Sequence, residues 1–96
     1  MSKNEILSRL RELRDTIGRD YRAEVVGIFG SYARGEEEET SDLDVLVIFK
    51  EKATILDLVG LSDFLGEQLQ CKVDVVSRRA LRKEIEPYVM KDLVAL

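Results

Sequence analysis

The sequence predicts an α/β fold in which helices pack on one small mixed β-sheet of about three to four strands. Apolar residues near the N-terminus recur every three or four positions, as in an amphipathic helix. Short β-branched runs further along are typical of buried strands. The two patterns alternate over 96 residues, so we expect residues 1–96 to form a single domain.

The first two elements are predicted from residues 3–29. A helix should run from about Lys3 to Arg19, with apolar residues on one face. That face consists of Ile6, Leu10, Leu13 and Ile17. The continuous apolar run Val25–Phe29 then predicts a buried strand that ends at Gly30.

A short turn and a second strand come next. Ser31–Arg34 can form one helical turn, with the Ser31 hydroxyl as its N-cap and Gly35 as a left-handed exit. We expect Glu36–Thr40 to be a mobile acidic loop and Val45–Phe49 to be the second strand.

The last third repeats the helix and strand patterns. An amphipathic helix is predicted from about Thr54 to Gln70, broad enough on its apolar side to lie across a sheet, and Cys71–Ser77 is the third strand. We expect a helix over Arg78–Ile85 and a fresh last helix that starts at Pro87. The pattern leaves open whether residues 93–96 form a short edge strand or fray.

Composition excludes several kinds of chemistry. The chain contains no histidine and one cysteine, which excludes His-dependent nucleophilic catalysis, His-ligated zinc and an internal disulfide. The N-terminus has neither a signal-peptide apolar stretch nor a membrane span, so we expect a cytoplasmic protein that does not bind membranes.

Charge is concentrated in the middle of the chain. Residues 36–77 carry 3 basic and 11 acidic groups, a net −8, whereas residues 1–35 and 78–96 are each +2. A protein that binds duplex nucleic acid directly normally presents a positive stripe, so we do not expect that function. A phosphate ligand in the acidic middle would require a divalent cation.

Asp42 and Asp44 are the first candidates for holding that cation. The two-residue period of an extended chain points both carboxylates to the same face. Hard oxygen ligands suit Mg²⁺ or Mn²⁺ and argue against zinc or copper. The alternative is structural: Ser41-Asp42 caps a turn and Asp44 is an acidic residue at a strand end.

Asp74 lies between Val73 and Val75 in the third predicted strand. Because burying an unpaired carboxylate is costly, we expect Asp74 to meet a partner. If the third strand lies beside the second, Asp74 joins Asp42 and Asp44 in a cluster that can hold two ions. Otherwise it faces solvent on an uncovered side of the sheet, or pairs with an arginine such as Arg22 or Arg78.

Gly30-Ser31 is a candidate phosphate-binding turn. It closes a strand and opens a helical turn, where free backbone N–H groups favour an anion. By itself, such a pair is more often a simple turn and cap. A Walker A loop is excluded, because Glu36 and Glu37 stand where Lys and Ser or Thr are required.

The order and spacing of these signals resemble a known family. Gly30-Ser31, ten intervening residues, Asp42-x-Asp44 and a later Asp74 are similar to the signature of the nucleotidyltransferase superfamily that includes DNA polymerase beta. The small size and the segment GSYARGEEEETSDLDVLVIF resemble the minimal nucleotidyltransferases, antitoxin partners of HEPN-domain proteins. The resemblance covers about residues 24–77 and implies a nucleotidyltransferase fold.

The resemblance also implies roles for the candidate residues. Gly30 and Ser31 would bind the β- and γ-phosphates of ATP. Asp42 and Asp44 would hold both Mg²⁺ ions, for which Mn²⁺ could substitute. Asp74 would complete the site of the ion nearer the nucleophile and help to deprotonate or orient the attacking hydroxyl.

Two further residues have open assignments. Arg34 follows Ser31 on the turn and could reach the triphosphate, or it could remain a solvated arginine. Ser41 could touch phosphate, although a capping role is the simpler assignment.

The resemblance implies that the partner is a HEPN-domain toxin whose tyrosine receives AMP from ATP, with release of pyrophosphate. A different class of function is a non-catalytic antitoxin that binds nucleotide or metal and neutralises its partner by direct binding. A structural domain without a ligand is a third alternative, which leaves Asp74 unexplained. The sequence leaves homo- and hetero-oligomers open.

Overall fold

The N-terminal apolar face is carried by two consecutive helices rather than one. In the computed structural model, which describes residues 1–96, α1 (Lys3–Glu12) is followed by α2 (Arg14–Tyr21). The prediction of one helix was therefore wrong at Leu13. That residue keeps nearly helical angles, φ −86° and ψ −1°, so the regular pattern is interrupted by one residue only. The four predicted apolar positions remain buried in the core cluster.

The sheet is four-stranded and mixed, which confirms the predicted fold class. Its strand order is β3-β2-β1-β4; β2 is parallel to β3, whereas β1 is antiparallel to both of its neighbours. The sequence left open whether residues 93–96 form a short edge strand or fray; residues 94–95 form an edge strand that pairs with the outer edge of β1. The strands are β1 (Ala23–Phe29), β2 (Leu43–Phe49), β3 (Val73–Ser77) and β4 (Val94–Ala95).

Two helices connect the first three strands. The short α3 (Ser31–Arg34) lies between β1 and β2, and α4 (Ile55–Leu69) is the crossover that parallel strands require. A capping box starts α4: the Thr54 hydroxyl accepts a backbone N–H, and the Asp57 carboxylate accepts the Thr54 N–H at 2.8 Å. None of the helices combines the length and the apolar character needed to cross a bilayer.

The two faces of β2 pack against different parts of the molecule. Leu43, Val45 and Val47 are fully buried and belong to one apolar cluster with residues of α1, α2 and α4. Side chains alternate along a strand, so Asp44 and Leu46 point to the opposite face. The core thus fixes β2 from one side, while on the other side Leu46 is also fully buried and Asp44 is half-buried.

The C-terminal segment differs from the prediction. Instead of a helix over Arg78–Ile85, a 3₁₀ turn forms at Arg78–Ala80, Leu81 is extended at φ −66° and ψ 127°, and a second turn begins at Arg82, whose carbonyl accepts the Ile85 N–H at 3.0 Å. Helix α5 (Glu86–Asp92) follows, with Pro87 in its first turn as predicted. Val89 anchors this helix, with 5% of its surface exposed.

A missing side chain at Gly27 allows β4 to approach β1. The register of β1 against β2 shifts between Val25 and Gly27, which marks a β-bulge. A Cβ atom at Gly27 would overlap the carbonyl oxygen of Val94, a backbone atom that cannot rotate away. Gly27 therefore determines where α5 and β4 can lie.

We predict that Gly27→Ala lowers the free energy of unfolding by about 1 to 3 kcal/mol through overpacking. It should also expose the Leu96 amide to hydrogen exchange, since that N–H donates to the Val26 carbonyl at 3.0 Å. Urea unfolding and amide exchange measure both effects.

The matched control is Gly18→Ala in α2. There the nearest atom to an added Cβ is the Lys50 Nζ at 3.5 Å, an ordinary contact, and alanine favours helix by up to about 1 kcal/mol. Wild-type stability and a protected Leu96 amide in Gly27→Ala would contradict the prediction.

Candidate active site

The turn after β1 is built on glycine backbone geometry. Gly30 has φ 77° and ψ −155°, a conformation that other residues rarely adopt. The expected N-cap role of Ser31 was wrong, because Gly30 is the N-cap and Ser31 is the first helical residue. Gly35 provides the predicted left-handed exit at φ 73°. No side chain caps α3, so its first N–H groups have neither an intrahelical partner nor a cap.

Strand register places two of the three aspartates side by side. Asp44 of β2 is the partner of Asp74 on parallel β3, and on its other side it is the partner of Phe29 on antiparallel β1. Residues paired in this way project to the same face of a sheet. Asp42 lies two residues before Asp44, at the entrance to β2. The sheet therefore gathers Asp44 and Asp74 beside the turn that follows Phe29.

The Asp44 carboxylate lies directly against Gly30. A Cβ atom at position 30 would overlap the Oδ2 atom of Asp44 and come within 3.2 Å of its Cγ. Glycine is thus required at position 30 for two reasons. Its φ is positive, and the Asp44 carboxylate occupies the space that a side chain would need. The candidate phosphate turn and Asp44 therefore form one packed unit.

The electrostatics of Asp44 show that the acidic groups act on one another. Burial raises the pKa of Asp44 to about 6, with further contributions from the charges of Asp74 and Asp42, while the Arg34 charge opposes the rise. Like charges that crowd a half-buried carboxylate disfavour its ionised form. The ionised form of Asp44 therefore carries an electrostatic cost at neutral pH.

Asp74 is exposed, as in the alternative that placed it in solvent, although β3 does lie beside β2 and sets Asp74 opposite Asp44. It faces the less covered side of the sheet, and it forms no ion pair with Arg22 or Arg78. Arg22 donates instead to the Lys52 carbonyl at 3.0 Å, and the nearest carboxylate oxygen to Arg78 is that of Glu86 at 3.8 Å.

The donor set fits a hard divalent cation, although the side chains do not form a closed cage. No group of three or more acidic or thiol side chains converges on a common point. The available ligands are carboxylate oxygens, which Mg²⁺ and Mn²⁺ prefer, and a cation would remove the cost that raises the pKa of Asp44.

The site is an open surface rather than a pocket. The largest groove, about 740 Å³, lies between α2 and the first half of β1 and includes Arg14, Arg19 and Lys50. None of the surface grooves includes any of the three aspartates. The size of a groove therefore does not identify the acidic site. The register of β2 with its neighbours and the charges around Asp44 identify it.

Arg34 and Ser41 occupy defined positions at the edge of the site. The Arg34 guanidinium contacts Asp92 of α5 at 2.6 Å and Glu36 at 3.1 Å. The Ser41 hydroxyl accepts the Glu38 N–H at 2.8 Å, and the Ser41 N–H donates to the Glu38 carbonyl at 3.0 Å. Ser41 thus closes a turn in the acidic loop, in agreement with a capping role.

Sequence reasoning missed two residues that support α3. Tyr32 packs against the core together with Cys71, and burial raises the pKa of both side chains. Asp92 holds Arg34 from 58 positions further along the chain. No local pattern pointed to either residue, because both contacts depend on how distant elements pack.

Comparisons with known proteins agree with this arrangement. Residues 10–95 match the family model described as nucleotidyltransferase domain. Protein adenylyltransferase MntA of Thermococcus cleftensis is 37% identical over 84 residues, which cover 88% of this chain and 81% of that protein.

Solved structures show the same fold. A structure assigned as a minimal nucleotidyltransferase superposes with a TM-score of 0.82 at 38% identity, covering 100% of this chain and 97% of that one. An MNT antitoxin bound to a tri-AMPylated HEPN toxin of Shewanella oneidensis gives a TM-score of 0.61 at 19% identity, a likeness of fold, covering 90% and 66% of the two chains.

A glycine turn packed against one carboxylate, with a second carboxylate in register on the next strand, fits the metal-assisted transfer of a phosphorus-containing group. With the family model matched over residues 10–95, this chain belongs to the nucleotidyltransferase family. It is an enzyme of the nucleotidyltransferase class, as the resemblance predicted.

Stability should depend on pH through Asp44. Its pKa is raised from 3.8 to about 6 on folding, so the folded chain holds this proton more tightly than the unfolded chain does. Stability from this group is present below about pH 4 and lost as pH rises through 6. Without divalent ions, Asp44→Asn should therefore unfold at a higher temperature than wild type at pH 7.5, and its advantage should shrink towards pH 4.

Asp63→Asn on the exposed side of α4 is the matched control and should change the midpoint little at either pH. The measurement is thermal unfolding in a chelator across pH 4 to 8. An Asp44→Asn variant less stable than wild type at pH 7.5 would refute this electrostatic account.

Proposed function

We propose that this protein transfers AMP from ATP to a tyrosine hydroxyl of a HEPN-domain toxin, releases pyrophosphate and thereby acts as an antitoxin. The proposal rests on the Gly30 turn, Asp44 and Asp74, which lie side by side. We call Asp44 and Asp74 the acidic row. Two similarities support it: the relative from Thermococcus is named a protein adenylyltransferase, and the Shewanella complex contains an AMPylated HEPN toxin with its MNT antitoxin.

The nucleotide end of the site is the uncapped start of α3. Its free N–H groups can donate to the β- and γ-phosphates, and Gly30 has no side chain to keep them away. Asp42 and Asp44 would hold two Mg²⁺ or Mn²⁺ ions beside this turn. When bound, such ions acidify the attacking hydroxyl and neutralise the charge that develops on pyrophosphate.

The acceptor end is the exposed carboxylate of Asp74. A hydroxyl that approaches from solvent meets this group first, and Asp74 can orient it and accept its proton. The hydroxyl oxygen then forms a bond to the α-phosphorus, and the bond from that phosphorus to the bridging oxygen of pyrophosphate breaks. An acceptor as large as a protein side chain suits an open surface better than it suits an enclosed pocket.

The test is transfer of label from ATP to the co-expressed HEPN-domain protein. Label in the α-phosphate should appear on its tyrosine, and label in the γ-phosphate should not. Asp42→Asn and Asp44→Asn should each reduce transfer by about a hundredfold or more, because loss of even an indirect partner of a metal ligand costs about 10- to 100-fold.

Asp63→Asn again provides the control and should transfer AMP at the wild-type rate. Undiminished transfer in Asp44→Asn, or transfer of the γ-phosphate, would contradict the proposed reaction. Neutralisation of the toxin that survives both aspartate substitutions would favour the non-catalytic alternative.

A further inference from the structure

Arg34 is a cation that lies near the three aspartates of the candidate site. It ends α3, whose first residues form the candidate phosphate turn, and its positive charge is felt at Asp44. Its guanidinium is held by two carboxylates, Glu36 through Nε at 3.1 Å and Asp92 through Nη1 at 2.6 Å. The question is which of the two fixes its position.

The two carboxylates differ in how well they are held. Glu36 lies two residues along the acidic loop, and its side chain is 66% exposed. An exposed pair of this kind contributes little, since solvent and side-chain entropy offset the attraction. The Asp92 side chain is 24% exposed and belongs to α5, which the buried Val89 anchors. Asp92 is therefore the carboxylate with a fixed position.

The position of Asp92 follows from the edge of the sheet. Two residues after it, Val94 pairs with Ile28 of β1, and the Val94 carbonyl occupies the space left free at Gly27. β1 in turn leads directly into Gly30. Strand β1 thus places both the phosphate turn and, through β4, the carboxylate that contacts Arg34.

The contacts leave part of the guanidinium free. Arginine has five N–H donors, and the two contacts to Glu36 and Asp92 use two of them, which leaves three. A guanidinium held at one side while its other N–H groups remain available is suited to phosphate oxygens.

We propose that Asp92 is a positioning residue that holds the Arg34 guanidinium beside the phosphate turn for contact with the triphosphate of ATP. This inference rests on the proposed function, in which ATP is the nucleotide. Asp92 itself does not touch the substrate and acts only through Arg34. The consequence is that the C-terminal α5–β4 segment, outside the Gly-Ser and Asp-x-Asp motifs, contributes to nucleotide affinity.

The test is the affinity for MgATP, measured by titration calorimetry on the full chain without a partner. Asp92→Asn should weaken binding by about tenfold, the scale of one charge-assisted hydrogen bond. Asp92→Glu, which restores the charge, should recover most of the affinity. Arg34→Ala should weaken binding at least as much as Asp92→Asn.

The double variant Arg34→Ala with Asp92→Asn separates positioning from general damage. If Asp92 acts only through Arg34, the double variant should bind MgATP as Arg34→Ala does. Glu86→Gln is the matched control, because it breaks the other α5 ion pair, that with Arg78, and should leave the affinity unchanged.

The outcomes distinguish this inference from the proposed function. Wild-type affinity in Asp92→Asn, additive losses in the double variant, or equal weakening in Glu86→Gln would each overturn the positioning role even if AMP transfer is observed. A wild-type chain that binds no MgATP would also overturn it. Weakened binding in Asp92→Asn, with no transfer of AMP by the wild type, would support the positioning role and contradict the proposed reaction.

Discussion

The register between β2 and its two neighbours is the constraint on which the site depends. It sets Asp44 opposite Asp74 on one side and opposite Phe29 on the other, so the residue after Phe29 must lie beside the Asp44 carboxylate. That residue is Gly30, which has no side chain to clash with the carboxylate. A slip of one residue would send Asp44 into the apolar core and separate it from the phosphate turn.

The same alternation explains how the chain tolerates an unfavourable group of acids. The face of β2 opposite to Asp44 consists of Leu43, Val45 and Val47, which are fully buried. Each of these side chains contributes about 1.5 to 3 kcal/mol relative to exposure, and together they hold the strand in register. The core thus offsets the electrostatic cost that raises the pKa of Asp44.

Local sequence patterns predicted the strands. They did not predict features that depend on contacts between residues far apart in the chain. The apolar runs Val25–Phe29, Val45–Phe49 and Cys71–Ser77 predicted the three longer strands to within two residues at each end. The sequence left open whether Asp74 is exposed, because its exposure depends on which face of the sheet the helices cover. The contact between Arg34 and Asp92 could not be predicted, since it forms only because β4 closes on Gly27.

Different exposure along the acidic row gives its members different chemistry. Asp44 is half-buried against the Gly30 backbone, where a carboxylate cannot move far and where a bound cation gains most from the lower dielectric. Asp74, in register with it, is exposed and remains accessible to a group arriving from solvent. In the proposed reaction, this strand pair would therefore place a fixed carboxylate beside the nucleotide and an accessible carboxylate beside the acceptor.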